Sequence, residues 1–114
     1  MDPLRKVEAV QGITLMLHEQ ARLADLNRPE EQVLCFTEDV VADYYGAPLY
    51  GRDAIHALLV PALKRWIASS HSISNVQIKV LDEKSARSVS YVHAWHRIDE
   101  TGAGDYEVRG QYHD

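Results

Sequence analysis

The chain has 114 residues, enough for one domain of ordinary size and too few for two, which excludes two-domain enzymes. Lys and Arg number 12 against 17 Asp and Glu, a formal charge of −5, so nucleic acid and anionic membrane faces are disfavoured as partners. A chain that is 46% hydrophobic and 25% charged has the composition of a globule and not of a disordered segment. Asp2 before Pro3 forms an N-cap and first-turn pair, and apolar residues recurring at Leu4, Val7, Val10, Ile13, Leu17, Ala21 and Ala24 predict a long amphipathic first helix. Asn27 and Pro29, with Glu30 and Glu31 in the first turn, predict a short second helix carrying Val33, Leu34 and Phe36. Val40–Tyr45 predicts the first strand, closed by the Gly46-Ala47-Pro48 turn signal. Gly51 and Asp53 introduce a third helix over about Ala54–Ala68, with Ile55, Leu58, Leu59, Ala62, Leu63 and Trp66 on its buried stripe and Pro61 placed to kink it. Three strands follow, His71–Leu81, Ala86–Ile98 and Tyr106–His113, joined through Asp82-Glu83-Lys84 and through Thr101–Gly104.

Three helices followed by long antiparallel strands define an α+β plan in which the helices cover one face of a curved sheet. Strand parity says which face. Ala86, Ser88, Ser90, Val92, Ala94, His96 and Ile98 share one side of the middle strand, and Val89, Tyr91, His93 and Trp95 share the other. The small-residue side is expected to face a cavity under the first helix. The aromatic side is expected to be a second packing surface, that of a homodimer.

The single cysteine, Cys35, excludes an internal disulfide and any multi-thiolate zinc or iron–sulfur site. Residues 1–12 lack the apolar core of a secretion signal, and no apolar run approaches the roughly 20 residues that span a bilayer. A reducing, cytoplasmic setting is expected.

Of six histidines, His18, His56, His93 and His113 fall on surface or interface positions, and His71 and His96 do not. His71 has the opposite parity to Val76, Ile78 and Val80, so it faces outward unless a bulge near Ser74-Asn75 resets the register and turns His71 and Ile73 inward. His96 shares the inner face with Ala94 and Ser90; a core histidine satisfied by its neighbours remains the alternative for both. Asp25 lies on the inner stripe at the end of the first helix, where the macrodipole disfavours a carboxylate by a few tenths of a kcal/mol or more. A turn or capping role is open to it, although Asn27 can fill that role. A carboxylate facing an imidazole is otherwise a general-base pair, the carboxylate fixing the ring's tautomer.

The order of the pieces resembles a known family. Asp25 ends the first helix, F-T-E-D-V-V-A-D-Y (36–44) enters the first strand, and Y-G-R-D-A-I (50–55) opens the third helix; S-S-H-S-I-S-N (69–75), S-Y-V-H-A-W-H-R (90–97) and G-Q-Y-H-D (110–114) follow. Over essentially its whole length the chain resembles the SnoaL-like branch of the nuclear transport factor 2-like superfamily, with a motif pattern similar to scytalone dehydratase and bile-acid 7α-dehydratase. The resemblance implies a cone-shaped, mainly antiparallel sheet wrapped around the long first helix, in one domain spanning 1–114. It implies His71 as acid–base catalyst held by Asp25, His96 as a second acid–base or leaving-group contact, and Tyr44 as hydroxyl donor to a substrate carbonyl. Gln20, Phe36, Trp66, Asn75, Ser90 and Tyr112 are the candidates for substrate contact. Ala24 and Gln20 stand where these dehydratases carry a tyrosine, so one phenolic donor is missing.

The expected activity is that of a cofactor-free lyase or isomerase, a dehydratase acting on a cyclic, steroid-like or polyketide-like hydroxy-ketone. The alternative is a non-catalytic small-molecule-binding module or accessory subunit of the same fold. Asp25, His71 and His96 could in principle hold zinc, but they come from distant segments with no short-spaced ligand pair, and the enzymes resembled use no metal. The last strand is still alternating at Asp114, and the natural protein is expected to continue for roughly a dozen residues, a hairpin turn and one covering strand.

Overall fold

The computed structural model describes residues 1–44 and 46–114; the expected strand end at Tyr45 lies outside the described residues. The first helix, α1, runs Pro3–Asp25, and the Asp2 side chain accepts the Leu4 N–H at 3.0 Å as its N-cap. Asn27 ends it. With φ of 56° Asn27 occupies the left-handed region, its N–H donates to the Ala24 carbonyl and the Arg28 N–H to the Leu23 carbonyl, the paired closure of a Schellman turn. Asn27 is thus the terminator of α1 and not the N-cap of the next helix, whose N-cap is Arg28. That helix, α2 (Pro29–Gln32), is a single turn continued as a 3₁₀ turn over Val33–Cys35.

β1 (Val41–Tyr44) and β2 (Ala47–Tyr50) pair antiparallel as a two-stranded sheet. The Gly46-Ala47-Pro48 signal therefore marks a hairpin and not a strand followed by loop; Pro48 is tolerated because β2 pairs on one side only. Gly51, at φ of 84°, hands β2 over to α3 (Gly51–Lys64), a backbone turn that disfavours any side chain. α3 continues through Pro61 and stops four residues before the expected end at Ala68, because the Ile67 N–H already bonds the Arg97 carbonyl at 2.8 Å and Ala68 opens the main sheet.

That sheet is β3 (Ala68–Val80), β4 (Ala86–Arg97) and β5 (Tyr106–His113), antiparallel in the order β3-β4-β5. Between Ser74 and Gln77 the register shifts, with Asn75 and Val76 opposite Ser90, and Asn75 takes φ of 52°. The bulge reverses parity: Ser69, His71 and Ile73 face inward before it, and Val76, Ile78 and Val80 after it. On β4 the side carrying Ser88, Ser90, Val92, Ala94 and His96 is buried, as its small residues require. Val33, Ile55 and Leu59 form a core between the helices and the β1–β2 hairpin. α1 lies on β3 through its C-terminal half, where Leu17, Leu23 and Ala24 are buried, while Leu4 and Val7 stay 65% and 61% exposed at its other end.

Candidate active site

The helices and the sheet enclose between them a cavity of about 390 Å³, open on one side. Leu17, Gln20, Ala21 and Ala24 line it from α1, Gln32 from α2, Tyr44 from β1, and Ala57, Leu58, Leu59, Pro61, Ala62 and Leu63 from α3. The sheet side supplies His71 and Ile73 from β3, Tyr106 and Tyr112 from β5, and Trp66 lies at the junction.

The Schellman turn leaves Asp25 as the last residue of α1, directed at the start of β3. Its Oδ1 accepts from His71 Nδ1–H at 2.6 Å and from the Ser69 hydroxyl at 2.9 Å, and its Oδ2 accepts the His71 backbone N–H at 3.0 Å. A carboxylate only accepts, so Nδ1 carries a proton, and in the neutral ring that tautomer leaves the Nε2 lone pair free. Three donors on one carboxylate leave the imidazole little freedom, and His71 lines the cavity while Asp25 stands behind it.

His96 is placed differently. It is 3% exposed and lies behind the wall, its ring 4.1 Å from Trp66 and stacked on Tyr106 at 4.6 Å, centroid to centroid, with His71 edge-on at 5.5 Å. Its Nδ1 has no hydrogen-bond partner among the described residues. Burial first, and the neighbouring His71 second, pull its pKa below the ordinary histidine range, against smaller opposing effects of the Tyr106 backbone and Asp25. His96 is therefore neutral near neutral pH.

In front of it stands Tyr106, absent from the candidates read from the sequence. Its hydroxyl accepts the Trp66 Nε1–H at 2.6 Å, which turns its own proton away from the indole. Among the substrate-contact candidates, Gln20, Trp66 and Tyr112 line the cavity, as does Tyr44. The others do not. Phe36 packs on the Val33–Ile55–Leu59 core, Asn75 is exposed at the bulge, where a left-handed residue bends the strand, and Ser90 is fully buried beneath the sheet's inner face. Ser69 and Gln32 were also missed: Ser69 shares the parity of His71, which was a usable signal, as Tyr106 shares that of Tyr112; nothing in the pattern around Gln32 marks it. His18, His93 and His113 are exposed, and His56 sits beside Glu30 at 3.4 Å. Among the described residues no three His, Cys, Asp or Glu side chains gather into a metal-holding set.

The sequence belongs to the SnoaL-like domain family, which matches residues 5–114. A solved structure from Novosphingobium aromaticivorans, provisionally named a scytalone dehydratase, is 30% identical over 96% of this chain and 74% of its own, with a TM-score of 0.88. A hexachlorocyclohexane dehydrochlorinase from Novosphingobium barchaimii is 13% identical over 98% of this chain and 77% of its own, with a TM-score of 0.84. A second Novosphingobium aromaticivorans protein, provisionally named an aromatic ring hydroxylase, is 20% identical over 99% and 78%, with a TM-score of 0.80. At those identities the last two show the shared fold alone. No curated protein matches the chain.

Proposed function

We propose that this chain is a cofactor-free enzyme of lyase or isomerase type, a dehydratase that acts on a small apolar cyclic hydroxy-ketone of steroid-like or polyketide-like skeleton. The observation that carries the reading is the 2.6 Å Asp25–His71 contact, braced by Ser69 and by the His71 backbone, with the imidazole at the wall of the cavity. His71 Nε2 takes the proton from the carbon next to the substrate carbonyl, and the electron pair moves to the carbonyl oxygen. Tyr44 or Tyr106 donates a hydrogen bond to that oxygen as charge develops. When the electron pair returns, the bond to the β-hydroxyl breaks and the His71 imidazolium supplies the proton that leaves with it as water. Asp25 holds the ring and its tautomer throughout. The names of two similar structures, a dehydratase and a dehydrochlorinase, both describe eliminations, which supports the same reading.

The test is turnover of a cyclic β-hydroxy-ketone, followed by the absorbance of the conjugated enone. His71→Asn should keep the fold and lower the rate by roughly 10²- to 10⁴-fold. An active His71→Asn protein would move the base elsewhere, and ligand binding without turnover in the native protein would favour the binding-module alternative.

The same proposal extends to the assembly and its setting. On the outer sheet face Tyr91 is 46% exposed, His93 is exposed beside Glu107 at 3.3 Å, and Trp95 lies under the Arg97 guanidinium at 5.2 Å; we assign this face to a homodimer. Among the described residues no helix is long and apolar enough to cross a membrane, and the unpaired Cys35 fits a reducing cytoplasm.

A further inference from the structure

Trp66 and Tyr106 are joined by a hydrogen bond that the packing around them does not need. The Tyr106 hydroxyl accepts the Trp66 Nε1–H at 2.6 Å. Both rings already rest on the buried His96 ring, the indole at 4.1 Å and the phenol stacked at 4.6 Å, centroid to centroid. A phenylalanine at position 106 would keep that stacking, and a hydrogen bond this open to water adds little to stability. The bond does fix the phenol's proton. With the indole N–H on one side of the oxygen the proton is left on the other, and no described residue accepts it. Tyr106 lines the cavity on the same sheet wall as His71, and the Trp66 ring lies 6.1 Å from the His71 ring, so the hydroxyl that Trp66 holds stands at the His71 end. An N–H donated to a phenol oxygen also polarises the O–H and makes it the stronger donor in turn.

We propose that Tyr106 is the catalytic residue that donates to the substrate carbonyl, in preference to Tyr44, and that Trp66 is the positioning residue that aims this hydroxyl and strengthens it. The indole bond gains strength as the phenol oxygen yields its proton's charge to the substrate. The pair therefore stabilises the developing oxyanion more than the ground-state carbonyl. His71 takes the carbon proton, and Tyr106 keeps its own, sharing it with the carbonyl oxygen. The inference rests on the proposed acid–base function for the identity of the reaction, and on the Trp66–Tyr106 geometry for the identity of the donor.

The donor is read without turnover from the carbonyl stretch of bound 1-indanone, labelled with carbon-13 at the carbonyl and followed by isotope-edited infrared difference spectroscopy. In the native protein and in His71→Asn the band should lie at lower frequency than in Tyr106→Phe. Tyr44→Phe should keep the native band, and Trp66→Phe should fall between the two. 3-Fluorotyrosine at position 106, a more acidic phenol on the same ring, should move the band below the native one. A band that Tyr106→Phe leaves in place, a band that moves with Tyr44 instead, a native band in Trp66→Phe, or failure of the ketone to bind each overturns the inference. Should Tyr106→Phe not fold, the 3-fluorotyrosine protein decides, and an unmoved band overturns it. On the cyclic β-hydroxy-ketone, Tyr106→Phe should lower kcat by roughly 10²-fold and Trp66→Phe by about tenfold, each with KM within about twofold of native. Losses confined to KM would make both residues ground-state contacts and overturn the catalytic assignment. A Tyr106-dependent band in a native protein that forms no enone sinks the acid–base reading and leaves Tyr106 as the carbonyl contact; His71-dependent enone formation with a band indifferent to Tyr106 does the reverse.

Discussion

Two histidines 5.5 Å apart, ring to ring, have been given opposite tasks by their surroundings. His71 has a carboxylate on Nδ1 and open space in front; His96 is enclosed by Trp66 and Tyr106 with an unpartnered Nδ1. Because burial depresses the His96 pKa, the folded protein refuses a proton that the unfolded chain accepts near pH 6.5. Stability linked to His96 is thus fully present above about pH 6.5 and declines as pH falls from there toward the depressed folded-state value. We expect the melting temperature of the native protein to fall more steeply between pH 7 and about pH 5 than that of His96→Phe, measured by scanning calorimetry at matched ionic strength. Equal slopes would mean that His96 gains its proton without unfolding. A pH profile of activity adds a distinct readout, since His96→Phe keeps an aromatic ring against Tyr106, removes the titrating group and leaves the Asp25–His71 contact in place.

At the scale of elements, the site depends on two residues in left-handed conformation, both asparagines. Asn27 closes α1 so that Asp25 is its last residue, and its Nδ2 donates to the Leu63 carbonyl at 3.1 Å, tying the end of α1 to the end of α3. Asn75 makes the bulge that turns His71 inward without turning Val76, Ile78 and Val80 outward. A β-branched residue is strained at such a φ, by roughly 1–2 kcal/mol, and glycine is not. Asn75→Val should therefore lower stability in urea by about 1–2 kcal/mol, while Asn75→Gly stays within about 0.5 kcal/mol of the native protein. Equal losses in both variants would show that the asparagine side chain, and not its backbone, makes the bulge.

Taken whole, the molecule measures 53 × 27 × 24 Å with a radius of gyration of 15.3 Å, against about 13 Å for a compact chain of this length. The excess has a plain source: α1 spans roughly 35 Å at 1.5 Å per residue, and only its C-terminal half lies on the sheet. The opposite sheet face is where we place the homodimer. Tyr91 is central on that face and pairs across to Gln111, so Tyr91→Glu puts a charge into the proposed contact without touching the cavity. Sedimentation should give a dimer for the native protein at micromolar concentration and a monomer for Tyr91→Glu, both with His71-dependent turnover if the site is complete in one protomer. A native monomer would remove the proposed interface.

Period and punctuation were sufficient for most of the elements. The helical spacing from Leu4 to Ala24, the alternation along β4 and the placing of β5 are local consequences of which residues are apolar, and they were legible in the chain. So were Asp25 and His71 as partners, because a carboxylate at a helix C-terminus and an imidazole at odds with its strand's parity are both local anomalies. The β1–β2 hairpin was not legible, since Pro48 reads locally as the end of a strand and is acceptable only because β2 has one paired edge. Nor was the choice between facing and burying. His96, Ser90, Ala94 and Val92 share one parity and all are inside, but whether inside means cavity wall or packed interior depends on how closely Trp66 and Tyr106 close over that face. Gln32 is the sharpest case: its sequence neighbours do not distinguish a solvated glutamine from a buried one, and only the packing of α2 against α1 and α3 buries it beside the cavity. Periodicity assigns a side chain to a face of its own element, a property of short range; what lies against that face is set by contacts between residues far apart in the chain, which only the folded arrangement brings together.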